Sequence, residues 1–388
     1  MLTFKGFTGI NNVLPERRMS GGDLLAAVNV DIGLSGEVTR RGGLEQQSPL
    51  CHQNLHQAAG FMLATCGAAL VAIHPGGARH TIHPALGHDR VWYCNLPDGR
   101  TTFSNGLIHG VTDGVTGAER SVPLPGSLGA ADVTFGALEP GQYRYHLTFM
   151  RLSDRLEGPA ISSEPIDVQQ GGLRLDGLPM LEGHALNVYL SSRSGEGAYL
   201  AGATLSGSFE FAGSNAALVL PCRTLGAEPF PVGTITAFWR GRVLVAQGNA
   251  LWASRPMAPH LCDWRDFKVL QGTITAIEPV DNGVYVGTDS DLVFLAGTQW
   301  DQLAHVPTLR GPVVLGSGVQ APGHSLKLGD DTGAGQAMVC IAGGEVVAGF
   351  SGGQTESLTD GRWKTSVKQV SAAFRDVEGL PQYMAVPV

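Results

Sequence analysis

Five short β-hairpin signatures recur along this chain at the spacing of propeller blades. Each has an apolar strand, a tight turn of small or polar residues and a second apolar strand; they lie at 63–73, 102–112, 244–254, 284–296 and 338–350. Successive turns, at 66, 105, 248, 289 and 343, are 39, about 140, 41 and 54 residues apart. A four-stranded blade takes ~40–50 residues, so removing about 100 residues from the long step leaves one more blade. The spacing therefore predicts an all-β propeller interrupted by an insertion.

An internal match supports the repeat. The pentapeptide Gly-Thr-Ile-Thr-Ala begins at Gly233 and again at Gly272, 39 residues later, and a hairpin follows each copy. We expect six blades, with seven as the alternative. We also expect the strands within 372–386 to close the propeller by pairing with an N-terminal strand, either 2–7 or 29–33, because closure hides two sheet edges.

The predicted insertion differs in its strand pattern from the repeats around it. Pro- and Gly-containing joints at 121–129 and 226–233 flank about six or seven strand patterns separated by polar turns. Such spacing is typical of an immunoglobulin-like or fibronectin-like β-sandwich. The predicted organisation is an N-terminal segment with the first blades at 1–125, a sandwich at 126–229, and the remaining blades at 230–388.

Composition excludes several classes of function. The net charge of −8 and the 15% content of charged residues argue against a nucleic-acid-binding surface, which needs clustered Lys and Arg. No apolar run approaches the ~18 residues of a membrane span, and the N-terminus lacks the pattern of a cleaved signal peptide. The six cysteines are scattered, without a CxxC motif, and we expect reduced, mostly buried thiols.

Candidate chemistry is sparse, and we expect neither a metal nor a cofactor. Four histidines near Asp89 match no zinc spacing, and no G-x-S-x-G elbow is present. The Gly-rich segments do not lie between a strand and a helix as a phosphate-binding loop requires. A glycan-cleaving enzyme stays as a minor alternative because carboxylates are plentiful. These four histidines are His74, His80, His83 and His88.

Two kinds of residue are candidates for binding. The paired arginines Arg17-Arg18 and Arg40-Arg41 are either solvated charges or members of a subunit interface, where arginine is enriched. The six tryptophans recur in or beside blade strands, which favours core packing between blades. Trp300 and Trp363 are the candidates for a ligand-stacking role in a carbohydrate- or receptor-binding propeller.

The order of these pieces resembles bacteriophage tail proteins. The opening F-x-G-x-N-N-V-x-P-E-R at 7–17 and A-x-N-V-D-I-x-x-x-G-x-V-x-R-R-G-G at 27–43 resemble virion proteins in which this segment leads into a β-propeller. The stretches 238–267 and 272–297 are similar to tail propellers of the hub, nozzle or tail-stabilisation type. The strands YRYHLTF and LNVYLSS, within the insertion, are similar to the fibronectin-like modules that such proteins carry.

This resemblance implies a structural function without catalysis. The chain would be a virion protein of the tail, assembled in the host cytoplasm, whose copies form a ring around the DNA exit channel. It would join the tail tube to fibres or the tip, contact other tail proteins, and place the sandwich toward neighbours or the host surface. An acidic protein suits a passage through which DNA slides without specific binding. A receptor- or carbohydrate-binding propeller of the tail is the alternative.

Overall fold

The computed structural model describes residues 6–33, 36–43, 45–377 and 379–388. In these residues the chain is all-β, and its helices are four single 3-10 turns at Glu16–Arg18, Asn215–Ala217, Trp300–Gln302 and Gly323–Ser325. None of the described helices has the length and apolar character that crossing a bilayer requires.

The N-terminal segment forms two small strand pairs. Strands β1 (Gly9–Ile10) and β2 (Asp23–Leu24) pair in parallel, and β3 (Val30–Ile32) and β4 (Val38–Arg40) form a hairpin. The alternation of residues 29–33 and the Ser35-Gly36 turn predict a hairpin over 26–43. Of its predicted Ser35-Gly36 turn, Ser35 lies outside the described residues, as do residues 1–5.

Two four-stranded antiparallel sheets follow. In each, the central strand pair is one of the predicted hairpins, β6–β7 and β10–β11, which confirms those hairpins. The strands are β5 (Gln53–Gln57), β6 (Met62–Cys66), β7 (Ala69–Ile73) and β8 (Arg79–His83) in the first sheet, and β9 (Trp92–Asn95), β10 (Thr101–Ser104), β11 (His109–Thr112) and β12 (Gly117–Glu119) in the second.

The next nine strands form two larger sheets and the two-stranded sheet β14-β17. A three-stranded sheet, β13-β18-β21, and a four-stranded sheet, β16-β15-β19-β20, share one apolar core that includes Leu173, Leu186 and Val188. The strands are β13 (Ala130–Leu138), β14 (Gly141–Tyr143), β15 (Tyr145–Arg151), β16 (Ile161–Ser162), β17 (Ile166–Val168), β18 (Gly171–Asp176), β19 (His184–Ser191), β20 (Ala198–Thr204) and β21 (Ser208–Phe211). The unit formed by these strands is called the insert below.

One strand prediction in the insert is wrong. The sequence 141–151 alternates well enough to predict a single long strand, but the chain changes partner at Arg144. Residues before it (β14) pair with β17, and residues after it (β15) pair with β16 and β19. The alternation continues across the break because the residues on both sides bury one face, so periodicity alone does not reveal it.

Three more four-stranded antiparallel sheets complete the series. Their central hairpins, β24–β25, β29–β30 and β35–β36, are the other three predicted hairpins, and all three are confirmed. The third sheet contains β23 (Thr236–Trp239), β24 (Arg242–Gln247), β25 (Ala250–Ala253) and β27 (Phe267–Val269), and the fourth contains β28 (Ile274–Val280), β29 (Gly283–Thr288), β30 (Leu292–Ala296) and β31 (Ala304–Arg310). A short pair, β22 (Glu228–Pro229) with β26 (Leu261–Cys262), lies beside the third sheet.

The fifth sheet corrects a loop prediction. The Gly-rich stretch 316–335 contains the first strand of this sheet and a two-strand pair, although its glycines and prolines predict a loop. The fifth sheet has β32 (Val319–Pro322), β35 (Gln336–Ala342), β36 (Glu345–Gly349) and β37 (Thr355–Ser357); the extra pair is β33 (Lys327–Leu328) with β34 (Asp331–Thr332). The chain then forms the hairpin β38 (Val370–Val377) and β39 (Leu380–Pro387).

The sheets pack face to face in chain order. Separate apolar clusters join the first sheet to the second, the second to the third, the third to the fourth, the fourth to the fifth, and the fifth to the terminal hairpin. Strand β35 illustrates this packing, because its two faces belong to different clusters. Met338 and Cys340 pack toward the fourth sheet, whereas Ala337 and Val339 pack toward the hairpin. Because both faces are buried, these strands read as continuous apolar runs, and the arrangement is propeller-like.

The terminal hairpin does not pair with 29–33, one of the two N-terminal partners that we expected; of the other, 2–7, residues 2–5 lie outside the described residues. In the described residues β38 pairs with β39, and 29–33 contributes to the β3–β4 hairpin. The N-terminal segment is held instead by a loop: Asn12 N–H donates to the Arg362 carbonyl at 2.9 Å, and the Asn12 amide exchanges two hydrogen bonds of 2.8 Å with the Lys364 backbone. These hydrogen bonds thus connect the N-terminal segment to the loop that precedes β38.

Candidate functional site

The joint between the second sheet and the insert contains a fully buried arginine. Arg120 follows β12 and is 1% exposed. Its Nη2 donates to His109 Nδ1 at 3.0 Å and to the Pro231 carbonyl at 3.1 Å, and its guanidinium lies 4.6 Å from the centre of the Phe230 ring. Its Nε and Nη1 have no hydrogen-bond partner among the described residues. Arg120 therefore connects the chain leaving the second sheet to the chain returning from the insert.

No carboxylate neutralises Arg120 in the described residues. Its neighbours Cys94 and Cys262 have thiol pKa values that burial raises to about 12 and about 11, so both are neutral at pH 7. Burial lowers the pKa of Arg120 to about 10, which still leaves it charged. A buried cation without an anionic partner is costly and is retained only where its contacts compensate. Here the compensation is the two hydrogen bonds and the Phe230 ring face.

A second set of contacts crosses the same joint. Arg151 of the insert donates from Nη1 to the Glu119 carbonyl at 2.7 Å and pairs bidentately with Asp154 at 2.7 and 3.0 Å. The His260 ring, in the third sheet's connection, lies 3.0 Å from the Glu157 carbonyl. The Arg151–Asp154 pair lies within the insert and fixes the Arg151 guanidinium. The contacts that cross the joint are the bond from Arg151 to the Glu119 carbonyl and the His260–Glu157 contact.

The returning linker is held by another arginine. Arg255 pairs with Asp263 at 2.5 Å and donates to the carbonyls of Arg223 and Leu225 at 3.2 and 3.3 Å. The hydroxyl of Ser121, in the outgoing linker, donates to the Phe230 carbonyl at 3.2 Å. Both connections to the insert are therefore held by polar contacts.

The two histidines of the joint must be neutral. Arginine can only donate, so His109 Nδ1 accepts from Arg120, and burial together with that charge lowers the pKa of His109 to about 3. Burial lowers the pKa of His260 to about 4, although its contact with the Glu157 carbonyl acts in the opposite direction. The pKa of an unfolded histidine is about 6.5. Between pH 6.5 and 4, these two histidines are therefore protonated in the unfolded chain but not in the folded chain.

We expect the joint to lose stability as the pH falls from 7 to 5. The contribution of each histidine is complete well above pH 6.5 and decreases below it, by about 2 kcal/mol per group at pH 5. His260→Gln keeps a neutral donor and should flatten the pH dependence of the free energy of unfolding, measured by urea denaturation. His324→Gln, at an exposed histidine away from the joint, is the control. An unchanged pH profile in His260→Gln would contradict the assignment.

The structure places the paired arginines on two N-terminal elements. Arg17 and Arg18 are exposed in the 3-10 turn Glu16–Arg18, and Arg40 and Arg41 are exposed at the end of β4. Arg41 forms an ion pair with Asp31 at 3.1 Å, whereas no other ion pair is found for these arginines in the part of the chain that the structure describes. Their role in a subunit interface remains a prediction.

The stacking prediction for Trp300 is wrong. Trp300 is 5% exposed and belongs to the core between the third and fourth sheets, with the Lys268 ammonium 5.1 Å from its ring centre. Its buried ring offers no face to a ligand. Trp363 is half-buried, and its stacking role stays a prediction. Trp264, in contrast, is 62% exposed, a property that its position in the repeat does not reveal.

The histidine-rich stretch and the cysteines form no cluster with ligand geometry. His74 and His80 meet edge to face, with ring centres 5.2 Å apart, and His74 also contacts the Gly114 carbonyl at 2.8 Å. Residues 6–33, 36–43, 45–377 and 379–388 hold no group of three or more His, Cys, Asp or Glu side chains able to bind a metal ion. All six cysteines are free, and three of them are buried, Cys94, Cys262 and Cys340.

Sequence reasoning missed two charged residues, Arg120, which the fold buries completely, and Glu278, which it buries in part. Arg120 stands alone in a linker and carries no pattern that predicts burial. Glu278 gives a weak signal, because it is the single charge in the apolar strand Ile274–Val280. Its carboxylate lies against Gly318 between the fourth and fifth sheets and has no hydrogen-bond or ion-pair partner in the described chain. Burial raises the pKa of Glu278 to about 8.

Comparisons with known proteins do not assign this chain to a family. No protein family matches the chain, and no curated protein does. Among solved structures it is similar to BBS1N in complex with ARL6DN, at 10% identity over 89% of this chain and 91% of that one, with a TM-score of 0.31. A mercury-soaked crystal of the same complex gives 11% identity, 87% and 88% coverage and a TM-score of 0.31. Likeness at this level carries no argument, so the strand pairing described above is the basis of the fold description.

Proposed function

We propose that the chain is a structural component of a bacteriophage tail, at a hub, nozzle or tip position around the DNA exit channel. The observation that carries the proposal is the joint, in which Arg120, Arg151 and Arg255 fix two β-units to each other at both linkers. A protein that connects tail parts must transmit force without bending, and a stack of sheets rigidly joined to a second unit meets that requirement. The N-terminal resemblance to phage virion proteins supports the same assignment.

The proposal includes a closed propeller of six blades in each copy. Five blades are the four-stranded sheets, and the hairpin β38–β39 is the sixth, with seven blades as the alternative. Two contacts support this: the hairpin packs on the fifth sheet through Phe374 and Tyr383, and Arg90, beside the first strand of the second sheet, donates to the Val370 carbonyl at 2.7 Å. The hairpin thereby contacts elements from both ends of the series.

Assembly into a ring is the second part of the proposal. The exposed arginines at Arg17, Arg18 and Arg40 have no ion pair in the described residues and are suited to carboxylates on a neighbouring copy. The net charge of −8 suits a wall along which DNA moves without sticking. The proposal assigns the chain no catalytic role.

A second candidate function is the recognition of a host surface. It rests on the exposed ring of Trp264, which carries the Arg265 guanidinium 4.2 Å from its centre, and on the nearby exposed side chains of Phe267 and Val269. Exposed aromatic residues grouped with apolar neighbours are typical of contact surfaces. This patch would bind a receptor or a glycan of the host.

We expect this protein in purified virions of the phage that encodes it. Mass spectrometry of gradient-purified particles should detect it at several copies per particle, and negative-stain images of the purified chain should show rings. Its absence from the particle would exclude the tail assignment. Binding to host cells that Trp264→Ala abolishes, in a chain absent from virions, would favour the second candidate.

A further inference from the structure

A cavity of about 690 Å³ lies between the first sheet, the second sheet and the terminal hairpin. Its walls come from the start of β5, the start of β9, the turn before β32 and the start of β38, four segments far apart in sequence. Cavities of about 300–1,000 Å³ are the usual size for small-molecule sites. The polar and aromatic side chains that line it include His52, Gln53, Arg90, Trp92, Gln369 and Ser371.

Arg90 is the charged group of this cavity. Its guanidinium lies 4.2 Å from the centre of the Trp92 ring, and Nη1 donates to the Val370 carbonyl at 2.7 Å. Within the described residues it forms no ion pair, and partial burial lowers its pKa. A guanidinium has five N–H donors, and stacking on a ring covers a face while leaving the donor edge available. Arg90 therefore presents donors that no described residue uses.

The backbone opposite Arg90 is shaped to admit it. Gly316 has a φ of +75°, and a Cβ at this position would collide with both Nη atoms of Arg90. The guanidinium thus occupies space that exists because residue 316 is glycine. This close approach holds the group in one place, as the recognition of a planar oxyanion requires.

A second unsatisfied polar atom lies in the same cavity wall. The Nε2 atom of His52 is buried and has no hydrogen-bond partner among the described residues. Buried polar atoms without partners are rare in folded proteins and call for an explanation such as a bound ligand. His52 thus forms part of the wall, and the hydrogen-bond donors that face the cavity come from Arg90.

We propose that this cavity binds a small organic molecule that carries a carboxylate or phosphate group. The oxyanion receives the unused N–H groups of Arg90, and the amides of Gln53 and Gln369 contact its remaining polar atoms. A neutral ligand would leave the guanidinium uncompensated, so the site favours anions. The inference does not depend on the tail assignment, because a site of this kind serves any role of the protein.

Calorimetric titration of the full chain at low ionic strength tests the proposal. Inorganic phosphate and succinate are the two anionic probes, and succinamide is the neutral analogue of succinate. We expect saturable binding of at least one anion at one site per chain and none of succinamide. Loss of the Arg90 charge in Arg90→Gln should weaken binding about tenfold or more. The stronger of the two anions identifies the group that the natural ligand carries.

A matched arginine gives the control. Arg265 also stacks on a tryptophan, at 4.2 Å from the Trp264 ring, but lies outside the cavity, so Arg265→Gln should bind as the parent does. Gly316→Ala, which leaves the net charge unchanged, should weaken binding because its Cβ displaces the guanidinium. Thermal melts show that each variant is folded, and Arg90→Met, which also removes the charge, replaces Arg90→Gln if the latter unfolds. No saturable binding of either anion, or equal weakening in Arg265→Gln, overturns the proposal.

Discussion

We expect the substitution Arg120→Ala to lower the free energy of unfolding by about 3–5 kcal/mol. Arg120 is among the largest fully buried side chains, so its truncation leaves a cavity beneath the Phe230 ring. The substitution also removes the donor to His109 and to the Pro231 carbonyl. Urea denaturation, followed by circular dichroism and by tryptophan fluorescence, measures the loss.

Arg120→Met separates the cavity from the charge. Methionine restores most of the buried volume but not the hydrogen bonds, and removing an unpaired buried cation offsets part of that loss. We therefore expect Arg120→Met to lose less than half of what Arg120→Ala loses. Equal losses in the two variants would mean that the hydrogen bonds, rather than packing, stabilise the joint. A loss below about 1 kcal/mol in Arg120→Ala would contradict its role there.

The second large effect is a gain in stability. The pKa of Glu278 in the folded chain, about 8, lies above the ordinary value of 4.5, so the unfolded chain ionises first as the pH rises. The contribution of this carboxyl to stability is complete below about pH 4.5 and is lost as the pH rises through 8. Glu278→Gln removes this penalty and should stabilise the protein by about 2 kcal/mol at pH 8, an amount reduced for the water that reaches the half-buried group.

The pH profile distinguishes this origin from a simple packing effect. The advantage of Glu278→Gln over the parent should be several-fold smaller at pH 5 than at pH 8 and should vanish below about pH 4, where the unfolded carboxyl is also protonated. Glu196→Gln, at an exposed glutamate of the insert, is the matched control and should change stability little at any pH. A gain in Glu278→Gln that is the same at pH 5 and pH 8 would exclude titration as its cause.

Sequence predicted the fold where one local pattern decides the structure. The five hairpins were predictable because a tight turn between two apolar runs is complete within a dozen residues. Strand β32 was not, because Val319–Pro322 lies in a Gly- and Pro-rich stretch and pairs with β35, which begins 14 residues later. Strand β13, Ala130–Leu138, lies at the edge of its sheet and is mostly exposed, so no apolar pattern reveals it.

The candidate sites were much less predictable than the fold. Arg90, Arg120 and Glu278 are single charged residues whose burial depends on segments far away in the chain. Arg90 contacts Val370, Arg120 contacts Pro231, and Glu278 lies against Gly318. Such contacts arise only when the sheets have packed, and no residue spacing encodes them. Trp300 shows the opposite error, since its residue type favours a ligand surface while its position after β30 places it in the core.

Because its two linkers lie side by side, the insert can be exchanged without altering the sheets. The chain departs at Ser121 and returns at Phe230, and a single hydrogen bond of 3.2 Å spans the two points. A chain that leaves and re-enters at one place does not disturb the order or register of the sheets on either side. Evolution can therefore lengthen, trim or replace what lies between these residues while the stacked series keeps its geometry. Diversification of one part of the molecule is thereby uncoupled from the folding of the rest.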